Sequence, residues 1–437
     1  MCYPPYPGPI VLEEQDKVPY LFVLQELAGI GRESAARVVR QLVQEVRAWG
    51  QGRDAAAHAT TAEEVRETVE AVPELGATLT ALHRLLRGAP DEAALEAAGL
   101  ALMHLATWAE KVAAYRTALA LYQAAEEADS DNPHYAYHVG RMARKLALYD
   151  AAEAWLKWAN WIARARRRWE VAALCTSGLG NLHRQRGNLP LATRYHELTR
   201  RIARRHNLRT LEGDALYDLA GMSFDFGDMP RGTEYTRRAI EAYGSGHSRI
   251  YTLARDIAWM WMDRLGEFEN AAHVLSALLE HIWEPPERLL LLSSLTRAAA
   301  GAGWREVFEN MWNETWALMR QQPSRERHAA SLTQLALAAG NFGYWERARI
   351  AADEALHVAE ERKEGEMIFL AETILETVRS NVIAEDRMRQ VFRDRQHMLD
   401  GGKDEHAASL ASELANAMWA RRDGAPLGPA GALTYAG

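Results

Sequence analysis

Apolar and polar positions alternate in helical fashion along the whole chain, and no stretch carries the period-two, β-branched pattern of strands. The pattern predicts helices at Glu63–Ala71, Leu75–Gly88, Glu92–Ala109, Lys111–Ala128, Glu366–Val378 and Glu385–Met398, with a closing helix at Asp404–Arg422. Thr61 followed three residues later by Glu64 reads as a capping box opening the first of these, and Pro73 interrupts it. Further corners fall at Asn132-Pro133, Pro285-Pro286, Gln322-Pro323 and Gly401-Gly402. The longest unbroken apolar runs, such as Ile257–Met262, fall far short of the roughly 18 residues of a membrane span. The predicted class is all-α.

Within this pattern the chain echoes itself. Gly140, Gly180 and Ala220 stand 40 residues apart, each followed twelve residues later by another small residue: Ala152, Ala192 and Gly232. Turns are read between them at Tyr149-Asp150, Gly187-Asn188 and Gly227-Asp228, and an aromatic follows at Trp155, Tyr195 and Tyr235. Small residues let antiparallel helices approach, Gly-Asn or Gly-Asp supplies a left-handed cap, and the aromatic fills the wedge. This resembles the tetratricopeptide repeat, lengthened from about 34 to about 40 residues. Less regular copies of the turn stand at Gly266 with Ala271-Ala272, Gly303-Trp304 with Phe308, and Gly343 with Ala348. The resemblance implies a right-handed α-solenoid of antiparallel helix pairs, similar to bacterial regulatory proteins of this family that bind peptides or partner proteins. The expected organisation is a Pro-rich segment (1–20), a small helical region (21–90), the repeat array (91–360), C-terminal helices with a cap (361–422) and a flexible tail (423–437).

Near the N-terminus, Leu24, Leu27, Gly29-Ile30-Gly31, Ala35 and Val38 resemble the helix-hairpin-helix motif, although Ala28 replaces its usual proline and no second copy follows. That resemblance implies a phosphate gripped by amides near Gly29 and Gly31, helped by Arg32, with Arg37 and Arg40 nearby. The plainer reading is a tight helical corner whose glycines serve only the turn. Leu24–Leu42 also admits a weaker helix-turn-helix reading.

Charge sharpens the picture. The formal net charge is −8, yet residues 141–209 carry 16 Lys or Arg against four acids. In the repeat family the first helix of each pair lines the concave groove, which implies groove positions for Tyr137, Arg141, Arg144, Lys145, Asn181, Arg184 and Tyr217. An Asn at the place of Asn181 is what carboxylate-clamp members use to hold a peptide, and the arginines suit an oxyanion-bearing ligand. The blocks Arg164–Arg168 and Arg200–Arg209 fall on outward helices or turns, where solvation competes with a convex basic face. Trp155, Trp158 and Trp161 share one helix and read first as packing.

Chemistry is sparse. His134 and His138 have i, i+4 spacing without a third ligand; Cys2 and Cys175 form neither a disulfide framework nor a thiolate site. No Walker loop, nucleophile elbow or catalytic Cys-His signature is present. No metal, no cofactor and no enzymatic activity are expected. The first residues lack a signal-peptide pattern, so a cytoplasmic location with no membrane contact is expected. Two function classes follow: a scaffold or regulator holding an acidic protein or peptide partner in its groove, and a nucleic-acid-associated factor combining the hairpin with the 141–209 basic band. Oligomeric state is not legible.

Overall fold

Five successive helices of the repeat region end the same way. The residue two positions past the helix enters the left-handed region, and the next amide reaches back to the carbonyl five residues earlier. The five successive left-handed residues Ala147, Arg167, Gly187, Asn207 and Gly227 stand 20 residues apart. The closing bonds are Leu148 N to Ala143 O (2.9 Å), Arg168 N to Ala163 O (2.7 Å), Asn188 N to His183 O (2.8 Å), Leu208 N to Ala203 O (2.9 Å) and Asp228 N to Ser223 O (2.9 Å). Seventeen-residue helices joined by three-residue turns thus generate the 40-residue echo as two equal halves.

The computed structural model describes residues 4–12, 20–28, 32–50, 60–322, 325, 327–384 and 407–419. Gly29, Gly31, the expected helix Glu385–Met398, the Gly401-Gly402 corner and the tail 423–437 lie outside them. The described residues form an all-α solenoid of tetratricopeptide type, divided after Leu211 into two units.

The first unit opens with α1 (Leu21–Ala28), α2 (Glu33–Gly50), α3 (Ala62–Ala71) and α4 (Gly76–Leu85). The pairs α5 (Glu92–Lys111) with α6 (Tyr115–Ala128), α7 (Pro133–Lys145) with α8 (Tyr149–Ala165), and α9 (Trp169–Gln185) with α10 (Leu189–Arg205) follow. Each pair packs on the next through α6 against α7 and α8 against α9, while α7 also lies on α9. The first helices of the pairs therefore share one wall, and α6, α8 and α10 share the other. The capping box at Thr61 is present: Thr61 Oγ1 accepts from Glu64 N at 3.2 Å and Glu64 accepts from Thr61 N at 2.8 Å.

Close approach sets the small positions. A Cβ at Gly140 would lie 2.8 Å from the Leu156 side chain and 3.1 Å from its backbone nitrogen, and one at Gly180 would sit 2.5 Å from the His196 ring. Trp155 fills its wedge almost completely buried. One turn differs from the expectation. In the α7/α8 pair the reversal is centred on Ala147, and Tyr149-Asp150 already begin α8. Any residue able to accept the left-handed conformation suffices there, so the turn carries no glycine to mark it.

The second unit contains α11 (Arg209–Asp225), which spans the boundary, with α12 (Met229–Tyr243); α13 (Ser248–Met260) with α14 (Phe268–Leu279); α15 (Pro285–Gly301) with α16 (Arg305–Gln321); α17 (His328–Asn341) with α18 (Trp345–Arg362); and α19 (Gly365–Arg379). A π turn over Trp261–Leu265 continues α13 before Gly266 reverses the chain. The last described helix, α20 (Ala407–Trp419), was expected to cap the end of the array. It packs instead on α12, α13 and α14, where Arg237 pairs with Glu413 at 3.0 Å and Gly246 N donates to Ala417 O at 2.9 Å. Its apolar face is satisfied by the seam between two second-of-pair helices.

Candidate partner-binding surface

The basic wall of the first unit is organised around one carboxylate. Glu110, in the last turn of α5, accepts from Tyr122 Oη at 2.7 Å, pairs with Arg141 of α7, and lies 3.7 Å from Lys145 Nζ. Tyr122 stacks on His138 with ring centroids 4.6 Å apart, and Arg141 Nη2 is 3.1 Å from His138 Nδ1. Burial, with Arg141 and His134 beside it, pushes the His138 imidazole down to about 3, so this ring is neutral. Lys145 also lies over the Tyr115 ring at 4.8 Å. Its ammonium is lowered by desolvation, which outweighs the attraction of Glu110.

The expected groove residues of the first unit fall on α7 and α9, which pack together. Tyr137 is half-buried, edge-on to His138 at 5.1 Å, and Arg144 is 8% exposed. Asn181 is half-buried and makes no side-chain hydrogen bond among the described residues, while Arg184 is exposed in the last turn of α9. Tyr217 belongs to the second unit, where its hydroxyl donates to Asp256. That unit's corresponding helices carry a ladder of opposite charges: Arg264 with Asp225 (2.6 Å), Arg297 with Asp263 (2.6 Å), and Arg327 with Glu287 (3.0 Å).

Arg32 turns toward the interior of the first unit, 3.3 Å from Glu74 and 5.0 Å above the Trp108 ring. Ala35 and Val38 are buried, as a tight helical corner requires. A different device ties α1 down. Both oxygens of Glu26 receive the first amides of α6, Arg116 N at 3.0 Å and Thr117 N at 2.7 Å, so a side chain from another helix serves as the cap.

Much of the remaining positive charge faces away from this wall. Arg166 pairs with Asp131, Arg186 with Asp150 and Glu153, and Arg200 with Glu197. Arg167, Arg168, Arg194, Arg204 and Arg205 are exposed and make no ion pair among the described residues. The described residues contain no His, Cys, Asp and Glu group able to hold a metal ion. Cys175 is wholly buried, and that burial pushes its thiol up. No described helix is long and apolar enough to cross a membrane.

Two features escaped sequence reasoning. The Glu110 hub joins residues from three helices and has no local motif. The Pro-rich N-terminal segment is docked on the opposite wall, against the tryptophans of α8; their density was the signal that could have revealed it.

No known protein-family model matches the sequence, and no curated protein matches it. Among solved structures, the chain is similar to a Rap protein complexed with competence and sporulation factor, at 13% identity over 88% of this chain and 99% of that one, with a TM-score of 0.38. It is also similar to a circular tandem repeat protein with novel repeat topology and enhanced subunit contact surfaces, at 18% identity over 85% of this chain and 77% of that one, with a TM-score of 0.14.

Proposed function

We propose that the protein is a non-enzymatic scaffold or regulator that holds an acidic peptide or protein segment on the α7/α9 wall. The supporting observation is that Arg141, Arg144 and Lys145 stand on one helix, and Asn181 and Arg184 on another, of a packed pair. Arg forks recognise carboxylates bidentately, and the side-chain amide of Asn181 on the neighbouring helix can hold the backbone of an extended ligand. Glu110 orients Arg141 and Lys145 rather than cancelling the wall, since it is one carboxylate between two cations. Tyr217, whose hydroxyl donates to Asp256, is a separate candidate contact within the second unit.

The test uses fluorescein-labelled decapeptides of Asp and Glu, followed by anisotropy on the full chain. Reversing Arg141, Arg144 and Arg184 together should weaken binding at least tenfold without changing the far-ultraviolet circular dichroism. Because Arg144 is buried, the pair Lys145→Glu and Arg184→Glu provides a second variant at the surface. Unchanged affinity in a folded variant removes the assignment.

A second reading is favoured by the five unpaired arginines on the α8–α9 turn and α10. They suit a polyanion such as a nucleic-acid backbone, whose binding would weaken steeply with salt. Reversing Arg194, Arg204 and Arg205 separates the two, because it should abolish capture of a labelled 20-nucleotide RNA or DNA and leave acidic peptides bound. Phosphate binding by Gly29, Gly31 and Arg32 belongs to this second reading, and Arg32→Ala should weaken the same nucleic-acid probe.

A further inference from the structure

The wall opposite the basic one is occupied by the chain itself. Residues 4–12, PPYPGPIVL, form neither helix nor strand and lie in the groove between α6 and α8. The Tyr6 ring stands edge-on to Trp155 and Trp158, with centroids at 5.5 and 5.6 Å, and its hydroxyl donates to Glu126 Oε2 at 3.0 Å. Four residues later Gln123 Nε2 donates to Ile10 O at 3.4 Å. Ile10 and Leu12 pack on the apolar residues beneath, and Val11 points out. Four prolines and Gly8, at φ +74°, fix a short course antiparallel to α6 and α8 that brings both anchors onto the groove.

This occupant fits incompletely. Tyr6 remains 49% exposed. Among the described residues, Glu126 Oε1 and the indole nitrogens of Trp155 and Trp158 are buried without a hydrogen-bond partner; Glu126 and Trp155 are each 1% exposed. Buried donors and acceptors left unmatched weaken a complex and favour any competitor that matches them. An aromatic groove that takes a preformed proline-rich segment is also a known mode of peptide recognition, because such a segment loses little entropy on docking.

We propose that the α6/α8 groove is a recognition site for an extended Tyr- and Pro-containing peptide of a partner protein, which residues 4–12 hold closed as a replaceable internal ligand. The side chains that define the ligand are Trp155 and Trp158 for an aromatic ring, Glu126 for its hydroxyl, and Gln123 for a carbonyl four residues on. This site is separate from the α7/α9 wall, so either assignment can fail alone.

The probe is a fluorescein-labelled peptide of this chain's own residues 3–12, YPPYPGPIVL, added to the full chain. In the wild type the internal copy competes. Tyr6→Ala combined with Ile10→Ala should therefore bind the probe at least tenfold more tightly than the wild type. Adding Trp158→Ala to that variant should abolish the gain, as should replacing the matching tyrosine of the probe by alanine. Glu126→Gln, added to the Tyr6→Ala and Ile10→Ala variant, weakens the acceptor of the probe's hydroxyl and should lower probe affinity two- to fivefold. Thermal melts and light scattering accompany each titration. Equal affinity in wild type and folded variants overturns the proposal, as does absence of binding to all of them. A wild-type dimer that exchanges this segment between copies also overturns it, since the groove would then be an assembly contact.

Discussion

At the scale of single residues, the turns offer the simplest control of stability. Ala147 and Arg167 hold left-handed conformations that cost a residue with a Cβ about 1 kcal/mol relative to glycine. Ala147→Gly and Arg167→Gly should each stabilise the first unit by about 0.5–1 kcal/mol, read as a raised urea midpoint at unchanged slope. Gly187→Ala should do the reverse by a similar amount, because its Cβ would meet nothing within 4 Å and only the backbone is strained. Loss of stability in Ala147→Gly contradicts this account. Glu126 supplies a second prediction. Desolvation, with Glu127 and Asp129 nearby, raises its carboxyl from 4.5 to about 7, although the Tyr6 hydroxyl bond opposes the rise; Arg47, facing it from α2, pairs with Glu127 at 2.8 Å. A raised carboxyl favours the folded state fully below pH 4.5, and this contribution is lost as pH climbs through 7. The unfolding free energy should therefore fall by about 2.5 kcal/mol between pH 5 and pH 8 on account of this group. Glu126→Gln should flatten that interval in denaturant titrations, and an undiminished slope would sink the assignment.

At the scale of elements, helix ends and helix approaches explain what was legible. Where a small residue is needed because another helix crosses closely, as at Gly140 and Gly180, the 40-residue spacing shows in the sequence. Where a turn tolerates a costlier residue, as at Ala147, the echo fades and the boundary is misplaced by two residues. Contacts made by the chain's ends left no periodic trace. Neither the strap at residues 4–12 nor the return of α20 onto α12–α14 follows from repeat logic, because both are long-range fits between a unique segment and a seam. The candidate site was legible only as a set of positions: the sequence pattern placed Arg141 and Lys145 together, but the carboxylate that orients them comes from α5. The Glu26 cap is another such fit, and it yields a prediction. Glu26→Ala leaves two amides and the Thr117 hydroxyl without their acceptor and should destabilise the first unit by about 1–2 kcal/mol. Glu26→Gln, which keeps one acceptor oxygen, should recover part of this. Equal melting curves for wild type and Glu26→Ala would show the cap to be energetically idle.

At the scale of the whole molecule, charge is segregated rather than sparse. A net charge of −8 hides an excess of twelve positive charges within residues 141–209, so the remainder carries −20. An acidic ligand is thus repelled by most of the chain and attracted by one band, which favours orientation during encounter over contact strength. Such steering acts through solvent and is screened over about 10 Å at 0.1 M salt, whereas contacts already made on the wall are screened less. For a labelled Asp- and Glu-containing decapeptide, raising NaCl from 50 to 500 mM should slow association about tenfold and change dissociation less than threefold. Glu110→Gln removes the carboxylate shared by Arg141 and Lys145. It should quicken association, since one negative charge is gone, and shorten the bound lifetime, since Arg141 and Lys145 lose the group that orients them. Stopped-flow anisotropy separates the two rates. Association indifferent to salt, in a chain this unevenly charged, would mean that the ligand does not meet the basic band at all.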